Sequence, residues 1–96
     1  MHIISKKKLK EFWLRHPASE HPLEAWFKIV RLSHYHAWAE LKAAFPAVDK
    51  VNDKIIFNIG GNKYRLIAVI HFHRGKVYIR DVLTHEKYSE EKWKND

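Results

Sequence analysis

The chain has 96 residues, with 18 Lys and Arg against 11 Asp and Glu, a formal net charge of +7, 46% apolar residues and no cysteine. This is the balance of a folded domain, and the length suits a single one, burying about two-thirds of the surface its unfolded chain exposes. The missing cysteines exclude a disulfide scaffold, a thiolate zinc site and a thiol nucleophile. The lack of any apolar run near ~20 residues excludes a membrane-spanning helix.

Lys6-Lys7-Lys8 imitates the start of a signal peptide, but Leu9-Lys10-Glu11-Phe12-Trp13-Leu14-Arg15 is too charged for its apolar segment. A cytoplasmic protein with no membrane partner is the expectation. The charge is spread, with nine basic and five acidic residues in 1–50 and nine and six in 51–96. Such an evenly basic body suits polyanionic partners.

In chain order, His2-Ile3-Ile4 reads as a short strand. Ser5 is placed to cap a helix on which Leu9, Phe12 and Trp13 recur at i, i+3 and i+4. Pro17 ends it near His16. Ser19 is placed to cap a second helix that tolerates Pro22 in its first turn, with Leu23, Trp26, Phe27 and Val30 in an apolar stripe. A third helix is expected from about His36 to Ala44, with Trp38, Leu41 and Phe45 on its buried side. After Val51 the apolar period changes to two. Strands are expected at Lys54–Ile59, Lys63–His71 and Lys76–Leu83, joined by Gly60-Gly61-Asn62 and His73-Arg74-Gly75. A helical turn or two is expected around Ser89–Trp93. The architecture is therefore α+β: N-terminal helices packed on one face of a small, mainly antiparallel sheet with a C-terminal three-stranded meander, made mixed by the opening strand.

The segment 54–88 carries Lys54, Lys63, Arg65, Arg74, Lys76, Arg80 and Lys87 against only Asp81 and Glu86. Alternation puts Arg65 with Ile67 and Val69 on one side of its strand and Tyr64, Leu66 and Ala68 on the other. An arginine inside so apolar a strand is costly unless its charge is exposed or paired, for instance with Asp81. The alternative is a preformed phosphate clamp, since a guanidinium matches phosphate with two parallel bonds. His85 follows the last strand and can carry a proton near neutrality, and Tyr88 adds a hydroxyl. The competing reading is a solvated tail. His71 and His73 are spaced to share a metal but lack an obvious third ligand, so no metal site is expected. His34 and His36 are placed at a helix junction. Trp13, Trp26, Phe27 and Trp38 read as core, and Lys6–Lys10 as the wet face of the first helix.

The blocks Ile56-Phe57-Asn58-Ile59-Gly60-Gly61-Asn62-Lys63-Tyr64-Arg65-Leu66-Ile67-Ala68 and Val77-Tyr78-Ile79-Arg80-Asp81-Val82-Leu83-Thr84-His85-Glu86-Lys87-Tyr88 resemble the HigB toxins of the RelE/ParE toxin–antitoxin superfamily. The opening Met1-His2-Ile3-Ile4-Ser5 and Leu41-Lys42-Ala43-Ala44-Phe45-Pro46 fit as well, so the resemblance covers nearly the whole chain. It implies a single RelE-like toxin domain over 1–96 and an mRNA interferase that cleaves translated messages on the ribosome. It also implies a helix-turn-helix antitoxin of HigA type, with operator DNA bound only through the complex. By position, Arg65 resembles the arginine that holds the scissile phosphate, His85 the proton-transfer residue, and Tyr88 a tail residue that orients the attacking hydroxyl or leaving group. Lys54 and Lys63, with Lys87, resemble auxiliary RNA or ribosome contacts. Asn58 and the Gly60-Gly61-Asn62 turn read as fold-specifying. Attack by the RNA's own 2′-hydroxyl needs proton transfer and charge stabilisation, so no cofactor is expected. Two other readings stay open: a non-catalytic basic module that binds nucleic acid or protein, and a gyrase-inhibiting member of the superfamily.

Overall fold

Leu9, Phe12, Trp13, Leu23, Trp26 and Val30 are buried in one core, as the helical spacing requires, and the sheet they cover joins four strands from the C-terminal half of the chain to the short N-terminal strand. The computed structural model describes residues 1–95. Its elements are β1 (His2–Ile4), α1 (Lys6–Arg15), α2 (Glu20–Leu32), α3 (Trp38–Ala44), β2 (Asp49–Val51), β3 (Lys54–Ile59), β4 (Tyr64–His71), β5 (Lys76–Thr84) and α4 (His85–Ser89), followed by a 3₁₀ turn at Lys92–Asn95. The five strands form one mixed sheet in the order β1-β5-β4-β3-β2. β1 runs parallel to β5, with Ile3 opposite Val77, and every other pairing is antiparallel. The expected helices-on-sheet α+β architecture and the meander are therefore present.

The N-terminus is anchored at the crossing of layers. The Met1 ammonium donates to the carbonyls of Val30, Arg31 and Ser33 at 3.1, 3.1 and 2.6 Å. A positive charge there also meets the negative end of the α2 dipole. The sheet's inner face contributes Ile55, Phe57, Ile59, Leu66, Ala68, Val77, Ile79 and Val82 to this core. Phe57 is 1% exposed and takes the edges of Trp26 and Phe45 at 5.3 and 5.1 Å between ring centres.

Several expected boundaries move. The strand Asp49–Val51 was not expected: its three residues pair with Lys54–Ile56, but a run that short, bearing Asp and Lys, carries no period-two signal. α3 begins at Trp38, not His36, because the Glu40 carboxylate ties the His36 N–H and Nδ1 at 3.2 and 3.1 Å and Ala37 is extended. Lys63 belongs to the turn and not to β4. Ser5 and Ser19 occupy their helix-start positions without a side-chain cap; the Ser19 hydroxyl donates back to His16 O at 2.7 Å. Phe27 is half-buried, its ring covered by Lys6 Nζ at 4.5 Å. The tail helix starts at His85, four residues before the expected position, where Thr84 Oγ1 accepts from Lys87 N at 3.3 Å.

Two irregularities aim the side chains of the sheet. Gly60 and Gly61 turn from β3 to β4 at φ +61° and +71°, in the left-handed region where glycine is unstrained. Opposite Ile67 and Ala68, which pair with Asp81 and Ile79, β5 carries Arg80 as an extra residue. This bulge resets the alternation, so Ile79 and Val82 both face the main core while Asp81 and Leu83 turn to the other face.

Candidate active site

The outer face of the sheet carries a smaller cluster. Ile56 and Ile67 are covered by Trp93, with Val51, Leu83 and Tyr88 packed alongside. The chain after β5 thus folds back across the face opposite α1, α2 and α3, and it brings α4 over Arg65.

Arg65 alternates with Ile67 on this face, opposite Asn58 and Leu83. It is 8% exposed, neither solvent-exposed nor paired with Asp81. Its charge is held by the turn it follows. Nη1 donates to Asn62 O at 3.2 Å and to Tyr64 O at 3.1 Å, and Nη2 donates to Asn62 Oδ1. The Tyr88 ring lies over the guanidinium, 5.2 Å from ring centre to Cζ, within cation–π range. Of the five guanidinium N–H groups, Nε–H and one on Nη2 have no partner among the described residues. Two donors suffice for a phosphate.

His85 is the first residue of α4 and is exposed. Its backbone N–H donates to Lys63 O at 3.0 Å, tying the start of α4 to the β3–β4 turn. Tyr88 follows one helical turn later, so Arg65, His85 and Tyr88 collect at one end of the outer face, with Arg65 and Tyr88 in contact. The three cations expected to assist are dispersed. Lys63 is exposed on the turn. Lys87 is exposed on α4, 3.7 Å from Glu90. Lys54 is buried and lines a neighbouring cleft of about 420 Å³ with Lys8, Ile67, Arg80, Asp81 and Trp93. Lys8 Nζ donates there to the carbonyl of the bulged Arg80 at 2.9 Å.

Sequence reasoning missed two members of this neighbourhood. Asn62 was read as a turn former, yet it holds Arg65 through both its carbonyls. Trp93 was passed over in a charged tail, although it is 5% exposed and stacks on Tyr88, with ring centres 5.0 Å apart at 11°. A lone indole five residues after a tyrosine in so polar a segment was the available signal. His71 and His73 do not converge on a site: His71 packs edge-on against Tyr78 at the end of β4, and His73 lies in the turn beyond. Among the described residues no group of three or more His, Cys, Asp or Glu could hold a metal ion, and no helix is long and apolar enough to cross a membrane.

The chain is thus a small basic α+β protein that anchors an arginine beneath a tyrosine, with a histidine at the start of the same helix. Comparison with known proteins gives its family. The family model of the HigB toxins, the RelE-like toxic component of a toxin–antitoxin system, matches residues 19–91. The chain is 37% identical over 91 residues to the mRNA interferase toxin HigB of Escherichia coli (strain K12), covering 92% of this chain and 88% of that protein. The mRNA interferase HigB of Shigella flexneri is similar to the same extent, and that of Escherichia coli O6:H1 is 28% identical over the same coverage. The chain belongs to the HigB toxin family, and such membership implies an antitoxin partner.

Proposed function

We propose that this chain is an mRNA interferase: a single toxin domain of RelE/ParE-like fold that cleaves translated messages on the ribosome, in the cytoplasm, until its antitoxin binds. The observation that carries the reading is the tethered guanidinium of Arg65 under Tyr88, in a chain whose relatives bear the name mRNA interferase. Arg65 binds the scissile phosphate through its remaining N–H groups and stabilises the charge that grows as the 2′-hydroxyl attacks. His85 carries a proton to or from the reacting oxygens, and Tyr88 orients the attacking hydroxyl or the leaving group. Lys63 and Lys87 on the rim, and the cleft with Lys54, hold flanking phosphates of the message or ribosomal RNA. The +7 surface supplies salt-dependent affinity that does not read sequence.

The partner proposed is a helix-turn-helix antitoxin of HigA type, through which alone the pair binds operator DNA. Acidic antitoxin residues near Lys54, Lys63 or Arg65 would use the same charge that draws RNA. The test is induced expression with mapping of transcript ends. Wild-type protein should arrest translation and cut translated messages, while Arg65→Ala and His85→Ala proteins at equal levels should not. DNA damage without transcript cleavage would place the target at gyrase instead. Intact growth with the wild type would leave a binding module.

A further inference from the structure

The tail residue Trp93 stands outside every role assigned so far, yet its contacts are specific. Its ring lies nearly parallel to Tyr88, with centres 5.0 Å apart at 11°. Its Nε1–H donates to the Tyr88 carbonyl at 2.9 Å. The indole also packs with Ile56 and Ile67 of the sheet. Tyr88 in turn covers Arg65 at 5.2 Å. Indole, phenol and guanidinium therefore form one continuous stack, fixed to β3 and β4 at both ends, by Trp93 on Ile56 and Ile67 and by Arg65 in its own strand. α4 has only five residues, too few to hold its own geometry. A helix this short presents Tyr88 at a defined angle only if something outside it sets that angle.

From this geometry we infer that Trp93 is a positioning residue for the cleavage reaction: it fixes the Tyr88 ring over Arg65 and touches no substrate itself. The inference rests on the assignment of Arg65 and Tyr88 to the active site. Trp93 also forms a wall of the cleft that holds Lys8, Lys54 and Arg80, so it sets the spacing between that cationic cleft and the Arg65–Tyr88 pair. Misplacement of a catalytic group by about 1 Å can cost roughly a hundred-fold in rate, which is the effect a loosened Tyr88 would have.

The experiment compares Trp93→Leu and Trp93→Phe with wild type in a reconstituted translation reaction on one defined message. Leu keeps an apolar cover on Ile56 and Ile67 and removes the stack. Phe keeps the stack and removes the N–H. Rates are normalised to the folded fraction, and the ring-proton shifts of Tyr88 report the stack by NMR independently of activity. The expected result is a fall in kcat of about ten- to a hundred-fold for Trp93→Leu at nearly unchanged KM. Trp93→Phe should recover most of that loss, and the Tyr88 ring-current shift should be lost in Leu and kept in Phe. Equal activity in all three proteins, equal loss in Leu and Phe, or a loss confined to KM would overturn the inference. An Arg65→Ala control that still cleaves at the wild-type rate would sink the active-site reading itself, whatever Trp93 does.

Discussion

Replacing Arg65 with alanine separates a structural arginine from a phosphate-binding one, because the structure sets a limit on the structural effect. The side chain makes three hydrogen bonds, two to carbonyl oxygens at 3.2 and 3.1 Å and one to Asn62 Oδ1, and it lies under Tyr88. Hydrogen bonds to charged groups contribute about 1.5–3 kcal/mol each where both partners are buried. Asn62 is exposed, however, so its two acceptors return to water when the guanidinium is removed. The Tyr88 contact adds about 0.5–1 kcal/mol. With the Tyr64 carbonyl bond and the Tyr88 contact as the remaining terms, the net loss is about 2–4 kcal/mol, a fall in Tm of roughly 8–32 °C for a domain of this size. A protein with ordinary stability of about 5–15 kcal/mol survives that. Catalysis should suffer more, since losing one donor to a developing oxyanion costs about 10²–10³-fold. Arg65→Lys keeps the charge without the fork and should fall between. The assay pairs thermal unfolding with transcript-end mapping. An Arg65→Ala protein that melts lower but cleaves as fast as wild type would show that the arginine only fastens the turn.

His85→Ala and His85→Gln should lose about 10²–10⁴-fold in cleavage rate with unchanged Tm, since the side chain is exposed and glutamine carries no proton; retained cleavage in either protein would return His85 to the solvated tail. Phe57→Ala should destabilise by about 3–5 kcal/mol, because the ring is 1% exposed and wedged between Trp26 and Phe45; urea unfolding measures it, and a loss under about 1 kcal/mol would mean that the site collapses or that the packing is wrong. Hydrogen bonding from the His36 side chain holds the Glu40 carboxyl below its usual range. A lowered folded value stabilises above the unfolded value and is lost as pH falls through the folded one. Glu40→Gln should therefore lower Tm slightly at neutral pH, with the difference vanishing in acid; a gap that widens toward acid would reverse the sign argued here.

The main core was legible because its signals are local. Leu9, Phe12 and Trp13 at helical spacing, and Ile55, Phe57 and Ile59 at a period of two, each follow from geometry that neighbouring residues share. The turn at Gly60-Gly61 was equally plain, since few other residues tolerate positive φ twice in succession. The even basic charge and the HigB-like blocks were also present in the chain itself, and the family comparison agrees with them.

The environment of Arg65 was not legible. Alternation put it on the side of Ile67, but whether that side was wet or covered depended on residues far along the chain. The folded tail, with Trp93 on Ile56 and Ile67 and Tyr88 over the guanidinium, helps cover the outer face, and an arginine whose exposure the sequence left open is 8% exposed. β2 and the bulge at Arg80 were hidden for the same reason. A three-residue strand exists because Lys54–Ile56 offers it an edge, and an extra residue in β5 is defined only against its partner β4. Periodicity records which residues share a face and is blind to what that face meets. Sequence thus determined the elements and the sign of the surface charge. Tertiary structure alone decided that Tyr88, backed by Trp93, would lie over the guanidinium of Arg65, because that contact joins segments whose spacing along the chain carries no information about their distance in space.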